Sequence, residues 1–477
     1  MTERRGAAAC AAAAALVFLP AVRFPLLNWD DGVNVTANAN LNFSLEGLRW
    51  MLTGSSLGHW HPLAWLTLAF DRAVWGGPAG FHLTSVLLHA LNAALFFLLA
   101  RRLLAPAGPR ADAGAAFAAL FWALHPLRVE SVAWVSERRD VLSGAFILAS
   151  ALAYVDGAAA GDGPRGDRLR LRALAFGAAA MASKVFAIVL PAVFLVLDVR
   201  LRGRPRWREK LPWLAPAAVA LAFNVAAQKD SGAAVSLAAF GVAARLTQAA
   251  YGLAFYVWKT ALPFGLGPLY ERSPLLEPVG FAVSAAAVAA AAAFLWATRR
   301  SRPALFLSAA AYVLLILPAL GLFKSGRMTA ADRYAYLPGL PLSLLAGAAV
   351  AALTRRGALA ATAAAAVGLA VLTERQLPVW SSDAALWDRA CAVSPLSYFA
   401  RLKLAEALDA AGRTEESAAA RDSAAALHED VFRRAAALYE ARGDAAAADM
   451  ARRRAAQGLP PELAAPRAAR SAGEMIK

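Results

Sequence analysis

His82-Leu-Thr-Ser-Val-Leu-Leu-His-Ala-Leu-Asn-Ala-Ala-Leu-Phe-Phe-Leu-Leu-Ala100 is a predominantly apolar run closed by Arg101-Arg102. A helix of that length covers about 30 Å, the thickness of a bilayer's hydrocarbon core. Arginines at the end of such a run stay on the cytoplasmic side. Similar runs recur at 7–22, 113–127, 141–157, 173–199, 211–227, 248–263, 279–297, 304–323, 335–353 and 358–373. The chain therefore reads as all-α, a polytopic transmembrane helical bundle.

Composition agrees. Of 477 residues, 59% are hydrophobic and only 17% charged, with a mean hydropathy of +0.48. Soluble domains carry about 25% charged residues, so an ordinary cytosolic enzyme is excluded, and there is too much apolar surface for disorder. The net charge of +16 comes from 42 arginines and seven lysines. They lie in short clusters between apolar runs, as topology signals do, and not on one soluble nucleic-acid-binding domain. Cys10 and Cys391 form no CxxC pair, and the six histidines form no HExxH pattern, so no metal site is expected.

Arg4 and Arg5 place the N-terminus inside, and Arg101, Arg102 and Arg110 return the chain there. The segment 23–81 is then a long outer loop. A retained first span fits better than a cleaved signal peptide, because 20–23 is a poor cleavage site. Basic stretches at 165–172 and 200–210 flank the run 173–199, which must then cross an even number of times. A break at Ser183-Lys184 would bring Lys184 to the outer surface. Arg299, Arg300, Arg355 and Arg356 return to the inside only if 248–263 enters the membrane without crossing, which also puts the C-terminal tail outside.

After Thr373 the apolar runs give way to alanine-rich, charge-laced helical sequence. Residues 404–413 are echoed by 435–444, an offset of 31 with a glycine near the end of each, close to the tetratricopeptide period of about 34. Ser394-Pro395 fits the start of the first of these helices. The expected division is a membrane domain at 1–379, repeat-like helices at 380–457 and a disordered tail at 458–477.

The outer segments collect ionisable residues: Asp30-Asp31, His61, His125, Arg128, Glu130, Glu137, Arg138, Arg139, Asp140, Lys184, Glu271, Arg272, Asp332 and Arg333. Two adjacent carboxylates in a confined site do not both ionise cheaply, so one is raised toward a general base. Arginine and lysine clamp phosphate. A base beside a phosphate clamp, facing out of a bilayer, suits group transfer from a lipid-linked phosphate.

Asn28-Trp-Asp30-Asp31, His61-Pro-Leu-Ala-Trp65, Phe81-His82-Leu, Leu88-His89-Ala-Leu-Asn92, His125-Pro-Leu-Arg-Val-Glu130-Ser131-Val-Ala-Trp134, Glu137-Arg-Arg-Asp140-Val-Leu-Ser143, Ala182-Ser183-Lys184 and Asp332-Arg333-Tyr-Ala-Tyr336-Leu-Pro338 occur in that order. In this the chain resembles the transmembrane and tetratricopeptide repeat O-mannosyltransferases and their bacterial relatives, polytopic glycosyltransferases of the GT-C class. The resemblance runs from about Leu26 to Gly412. It departs in having Val185 after Ser-Lys, often a proline in the family, and in its short repeat array, which leaves protein-acceptor recognition in question. It implies transfer of a sugar, mannose by the family's name, from a polyprenyl-phosphate donor to an acceptor hydroxyl on protein or glycan at the outer or lumenal face. It also implies Asp30 as base and Asp31 as its partner. Arg138, Arg139, Lys184 and Arg333 are assigned to the donor phosphate on physical grounds. His61, His125 and Glu130 are possible substrate contacts, although both histidines precede Pro-Leu and could simply shape helix starts.

No cofactor is required, because the donor carries its own leaving group. The acidic pair leaves a divalent cation open. Trp29, Trp60, Trp65 and Trp134 read first as an interfacial aromatic belt. Asn34-Val-Thr36 and Asn42-Phe-Ser44 are glycosylation sequons, meaningful only if the host uses them. High Ala and Arg with little Lys suggests a bacterial inner membrane, with the site on the periplasmic side. The rival functions are a flippase of lipid-linked saccharides, which would line a path through the bilayer with polar groups, and a non-catalytic membrane-anchored repeat scaffold.

Overall fold

The computed structural model describes residues 2–108, 110–231, 241–271, 278–322, 328–353, 356–441 and 443–459. Its helices are α1 (Glu3–Phe18), α2 (Leu45–Thr53), α3 (Pro62–Val74), α4 (Pro78–Leu104), α5 (Ala111–Ala123), α6 (Val129–Ala133), α7 (Arg138–Ala160), α8 (Pro164–Ser183), α9 (Leu190–Arg202) and α10 (Leu214–Asp230). They continue as α11 (Val242–Ala261), α12 (Pro278–Thr298), α13 (Pro303–Ile316), α14 (Gly339–Ala351), α15 (Arg356–Gln376), α16 (Asp383–Val393), α17 (Tyr398–Ala410), α18 (Thr414–Ala441) and α19 (Ala445–Gln457). Among the described residues the only sheet is the antiparallel pair β1 (Tyr270–Glu271) and β2 (Met328–Ala330).

Five helical segments are long and apolar enough to cross a membrane: Glu3–Arg23, Pro78–Ala107, Val135–Ala160, Trp207–Asp230 and Gly280–Thr298. None of the apolar window in Gly280–Thr298 is buried inside the protein. A helix apolar on every side needs hydrocarbon around it. The chain is an integral membrane protein with an all-α, polytopic fold.

The bundle has two polar ends. α4 and α7 run side by side in the same direction: Arg138 Nε donates to Ser85 Oγ at 3.0 Å near their starts, and Arg102 Nε donates to Asp156 Oδ1 at 2.6 Å near their finishes. The 18 residues from Arg138 to Asp156 rise about 27 Å at 1.5 Å each. We call these the acidic-pair end, which carries Asp30, and the arginine end. Where α5 crosses α14, a Cβ on Gly114 would stand 2.5 Å from the Gly347 carbonyl oxygen, so only glycine permits that backbone approach.

The run 173–199 forms two helices. α8 stops at Ser183, Lys184 is extended (φ −154°, ψ 123°) and α9 starts with Pro191 in its first turn. Proline lacks the N–H and its ring blocks helix continuation from upstream. Lys184 is 7% exposed; it is turned into the protein, and its ammonium is paired with two carboxylates. α11 is a continuous helix with both ends at the acidic-pair end. It starts there through Arg245 Nη1 to the Leu322 carbonyl at 3.0 Å, and finishes there with the Thr260 carbonyl 3.1 Å from His125 Nε2.

The C-terminal helices share the core of the bundle. Trp380, Leu386, Trp387 and Ala390 lie in the same buried cluster as Trp134 and Phe96. Ser397, and not Ser394, caps α17 through Ala400 N at 2.9 Å, while Ser394 Oγ donates to the Leu269 carbonyl at 2.8 Å. The two echoed segments end at Gly412 and Gly443, both with φ near +75°, a left-handed helix stop that glycine adopts without strain. Between them α18 is one unbroken helix of 28 residues, since 414–441 contains neither glycine nor proline. Of the expected tail, residues 460–477 lie outside the described residues.

Candidate active site

The loop after α1 is held rigidly at Asp31. Its Oδ2 accepts from Leu27 N at 2.9 Å, and its Oδ1 accepts from Ser136 N at 2.9 Å and Ser136 Oγ at 2.5 Å. A five-residue π-helical turn, Gly32–Thr36, follows. Beside it, Asn28 N donates to Asp383 Oδ1 of α16 at 2.7 Å, and Trp29 stacks on Trp134 with ring centroids 4.8 Å apart. Trp380 and Trp387 complete the aromatic group.

These contacts leave Asp30 held by its backbone while its carboxylate accepts no hydrogen bond among the described residues. Burial pushes the Asp30 carboxyl above its usual range, against the pull of Arg139 and Arg333. Asp31 is fully buried, and burial raises it to about 6 against the Ser136 bonds. The adjacent acids thus differ: one is saturated with donors and the other is unengaged.

The start of α7 splits its two arginines, because successive helical residues point about 100° apart. Arg138 faces inward and is fully buried: Nη1 lies 2.7 Å from Asp71 Oδ2, Nη2 donates to the Phe81 carbonyl at 2.5 Å, and Nε holds Ser85. That geometry corrects its assignment to the donor phosphate, since its donors are already taken inside the protein. Arg139 faces the other way and forks onto Glu137 at 2.5 and 3.1 Å. Lys184 pairs with Asp140 and lies 3.4 Å from Glu137. Arg333 pairs with Glu130, donates its N–H to Glu130 Oε2 at 2.8 Å, and places Nε 3.2 Å from Glu137.

Arg139, Lys184 and Arg333 therefore converge on Glu137, with Asp30 within the field of Arg139 and Arg333. Their side chains keep 8–11% exposure, against none for Arg138. They can meet a ligand at the rim of the cluster. Arg333 also lies over the Trp134 ring at 5.5 Å and the Tyr334 ring at 4.8 Å.

His61 lies beside this group, its ring 4.3 Å from that of Trp65. Burial, with Arg139 nearby, holds it well below the usual imidazole range, hence neutral. His125 is committed elsewhere: Nδ1 accepts from Leu127 N at 3.2 Å as a helix cap, and Nε2 meets Thr260. Both nitrogens are used, which corrects the expectation that His125 contacts substrate. Glu130 is spent on Arg333. Asp332 is raised by burial and by Glu130, and accepts from Tyr270 Oη at 2.7 Å. Arg272 lies outside the described residues.

Glu137, Asp140, Ser136 and Asp71 are essential to this arrangement. Glu137 and Asp140 stand in the ionisable pool and in the family motif, but without a role assigned from sequence. Ser136 and Asp71 have no assigned role either, and their partners lie 105 and 67 residues away along the chain. Trp65 and Trp134 are core residues with under 2% exposure and no interfacial belt. Asn34 is also buried, bonded to Ser136 and Ser56, so its sequon cannot carry a glycan. Among the described residues no group of three or more His, Cys, Asp or Glu could hold a metal ion, and the donors around Asp31 leave it little to offer one.

No family model matches the chain. Protein O-mannosyl-transferase Tmtc2 of Drosophila melanogaster is 36% identical over 138 residues, 27% of this chain and 14% of that protein. Tmtc1 of the same organism is 31% identical over 159 residues, 31% of this chain and 18% of that protein. TMTC2 of Homo sapiens is 35% identical over 97 residues, 20% and 11% of the two. The match thus spans less than a fifth of these relatives' length. Among solved structures, ArnT from Cupriavidus metallidurans bound to undecaprenyl phosphate is 16% identical with a TM-score of 0.41, over 94% of this chain and 74% of that one. Over the matched stretch, the chain is similar in sequence to the TMTC protein O-mannosyl-transferases.

Proposed function

We propose that this protein is a membrane glycosyltransferase that moves mannose from a polyprenyl-phosphate donor to a hydroxyl group, on protein, at the acidic-pair end of the bundle. The observation that carries the reading is the unengaged Asp30 carboxylate in the field of Arg139 and Arg333, with Lys184 joined to the same group through Glu137. The names of the TMTC relatives supply the sugar and the acceptor class, and the polyprenyl phosphate comes from the family resemblance.

The step is a single displacement. Asp30 takes the proton of the acceptor hydroxyl as its oxygen bonds to the anomeric carbon. The bond from that carbon to the phosphate oxygen breaks, and the leaving phosphate carries the electron pair toward Arg139, Lys184 and Arg333. One attack from the opposite face inverts the anomeric centre. Asp31 positions the base through Ser136 and Leu27, Glu137 orders the three cations, and Arg138 anchors α7 to α3 and α4. In this reading residues 1–379 form the catalytic membrane domain, and the helices of 380–457 form a short tetratricopeptide-like array on the acceptor side, in a bacterial inner membrane with that side periplasmic.

The test is transfer of radiolabel from polyprenyl-phosphate mannose in membranes holding wild type or Asp30→Asn at matched expression. Loss of about 10²–10⁴-fold in the variant is expected for a general base. Because burial raises Asp30, the acid limb of kcat/KM should lie above the ordinary carboxylate pKa of about 4. Equal transfer by both proteins removes Asp30 from the mechanism.

A further inference from the structure

The arginine end holds a polar cavity, of about 530 Å3, between α4, α7 and α8. Arg102, Asp156, Arg165, Arg168, Leu169 and Arg172 line it. Its size lies within the range of about 300–1,000 Å3 found for small-molecule sites. It is a full bilayer thickness from Asp30 and takes no part in the chemistry above.

The charges in it do not balance. Arg102 is neutralised by Asp156, at 2.6 and 3.3 Å, and by Glu3 at 3.0 Å. Arg170, on the other side of α8, pairs with Asp167 at 2.6 Å and Asp162 at 3.5 Å. Arg165, Arg168 and Arg172 stand at i, i+3 and i+7, so they share one helix face. Among the described residues none of the three has a carboxylate within salt-bridge distance; Arg168 Nε alone donates to the Pro164 carbonyl, at 3.2 Å. Three guanidinium groups facing one cavity repel one another, and an anion that enters relieves the repulsion. The same face continues one turn on to Phe176, which is 38% exposed, at the margin of the apolar surface.

We infer that this cavity binds the phosphate headgroup of an anionic phospholipid, with guanidinium forks on the phosphate oxygens and the acyl chains leaving along Phe176. Phosphate geometry suits arginine forks, and basic pockets between membrane helices hold such headgroups. A topology signal needs positive charge on the right side of the membrane. It does not need three unpaired arginines aimed into one cavity.

The test uses the full-length chain in a neutral detergent, with native mass spectrometry to follow bound cardiolipin, phosphatidylglycerol and phosphatidylcholine. Wild type should retain the anionic lipids over phosphatidylcholine. The triple variant Arg165→Gln, Arg168→Gln, Arg172→Gln should bind cardiolipin at least about tenfold more weakly. A control triple, Arg5→Gln, Arg204→Gln, Arg208→Gln, removes the same charge at the same end and should bind as wild type does. Should the first triple fail to fold, Arg168→Gln alone should weaken binding about threefold. Inorganic pyrophosphate separates the sources of phosphate: the lipid site predicts that it displaces cardiolipin only in large excess. Equal lipid binding by wild type and the cavity variants, an equal loss in the control, or displacement by stoichiometric pyrophosphate would each overturn the inference.

Discussion

Both ends of the bundle bury a carboxylate among cations, and they use it differently. At the arginine end Asp198 accepts from Tyr154 Oη at 2.5 Å, Lys210 Nζ at 2.6 Å, Arg206 N at 3.0 Å and Arg202 at 3.1 Å. Both its oxygens are occupied by donors from α7, α9 and the following turn, so the group staples three segments. At the acidic-pair end Glu137 gathers Arg139, Lys184 and Arg333, but Glu130 and Asp140 share those cations, and Asp30 beside them stays unengaged. The lesson lies in the remainder. A polar cluster whose every group is satisfied is a joint, and one that leaves a half-buried, raised carboxylate free is a candidate for chemistry.

Four tests bear on that contrast. The largest effect is expected for Asp71→Ala, which leaves Arg138 buried without its partner; stability should fall by about 3–5 kcal/mol, measured as detergent-solubilised unfolding. A loss below about 1 kcal/mol would mean that Arg138 is reached by solvent and is free to bind a ligand. Next is Asp31→Asn. With its folded pKa raised from 3.8 to about 6, Asp31 contributes stability that is complete below about pH 4 and is lost as pH rises through 6, about 3 kcal/mol in all. That slope in melting temperature against pH should vanish in the variant, and its persistence would assign the titration to another group.

The third test makes one chemical change at each hub. Glu137→Gln and Asp198→Asn should each cost about 1.5–3 kcal/mol, the worth of hydrogen bonds to charged groups. Only Glu137→Gln should also lower kcat/KM per folded molecule. If both or neither affect turnover, the division between joint and site is wrong. The smallest effect is expected for Arg101→Gln, whose partners Glu3 and Asp112 are more than a third exposed. Such pairs are worth about 0–1 kcal/mol, and a larger loss would show that the arginine end is drier than its exposure indicates.

The sequence supported the membrane fold well and the site only in part. Apolar length and arginine position are properties of single segments, set by bilayer thickness and by which side retains positive charge. They anticipated the paired helices of 173–199. An array of two helix pairs, too short to stand alone, is expected to pack against the membrane domain or a partner; that Trp380 and Trp387 do so on Trp29 is fixed only when the chain closes on itself.

The sequence by itself determined the all-α membrane architecture and the pool of ionisable groups from which a site is drawn, because hydropathy and charge act locally. The tertiary structure alone decided which of those groups are free. Asp30 and Asp31 are chemically identical neighbours, yet Ser136 from 105 residues away saturates one and spares the other. Arg138 and Arg139 are likewise identical, and a turn of about 100° sends one to Asp71 in the core and the other to the rim. Long-range partners in a low-dielectric interior, absent from any local reading, made those distinctions.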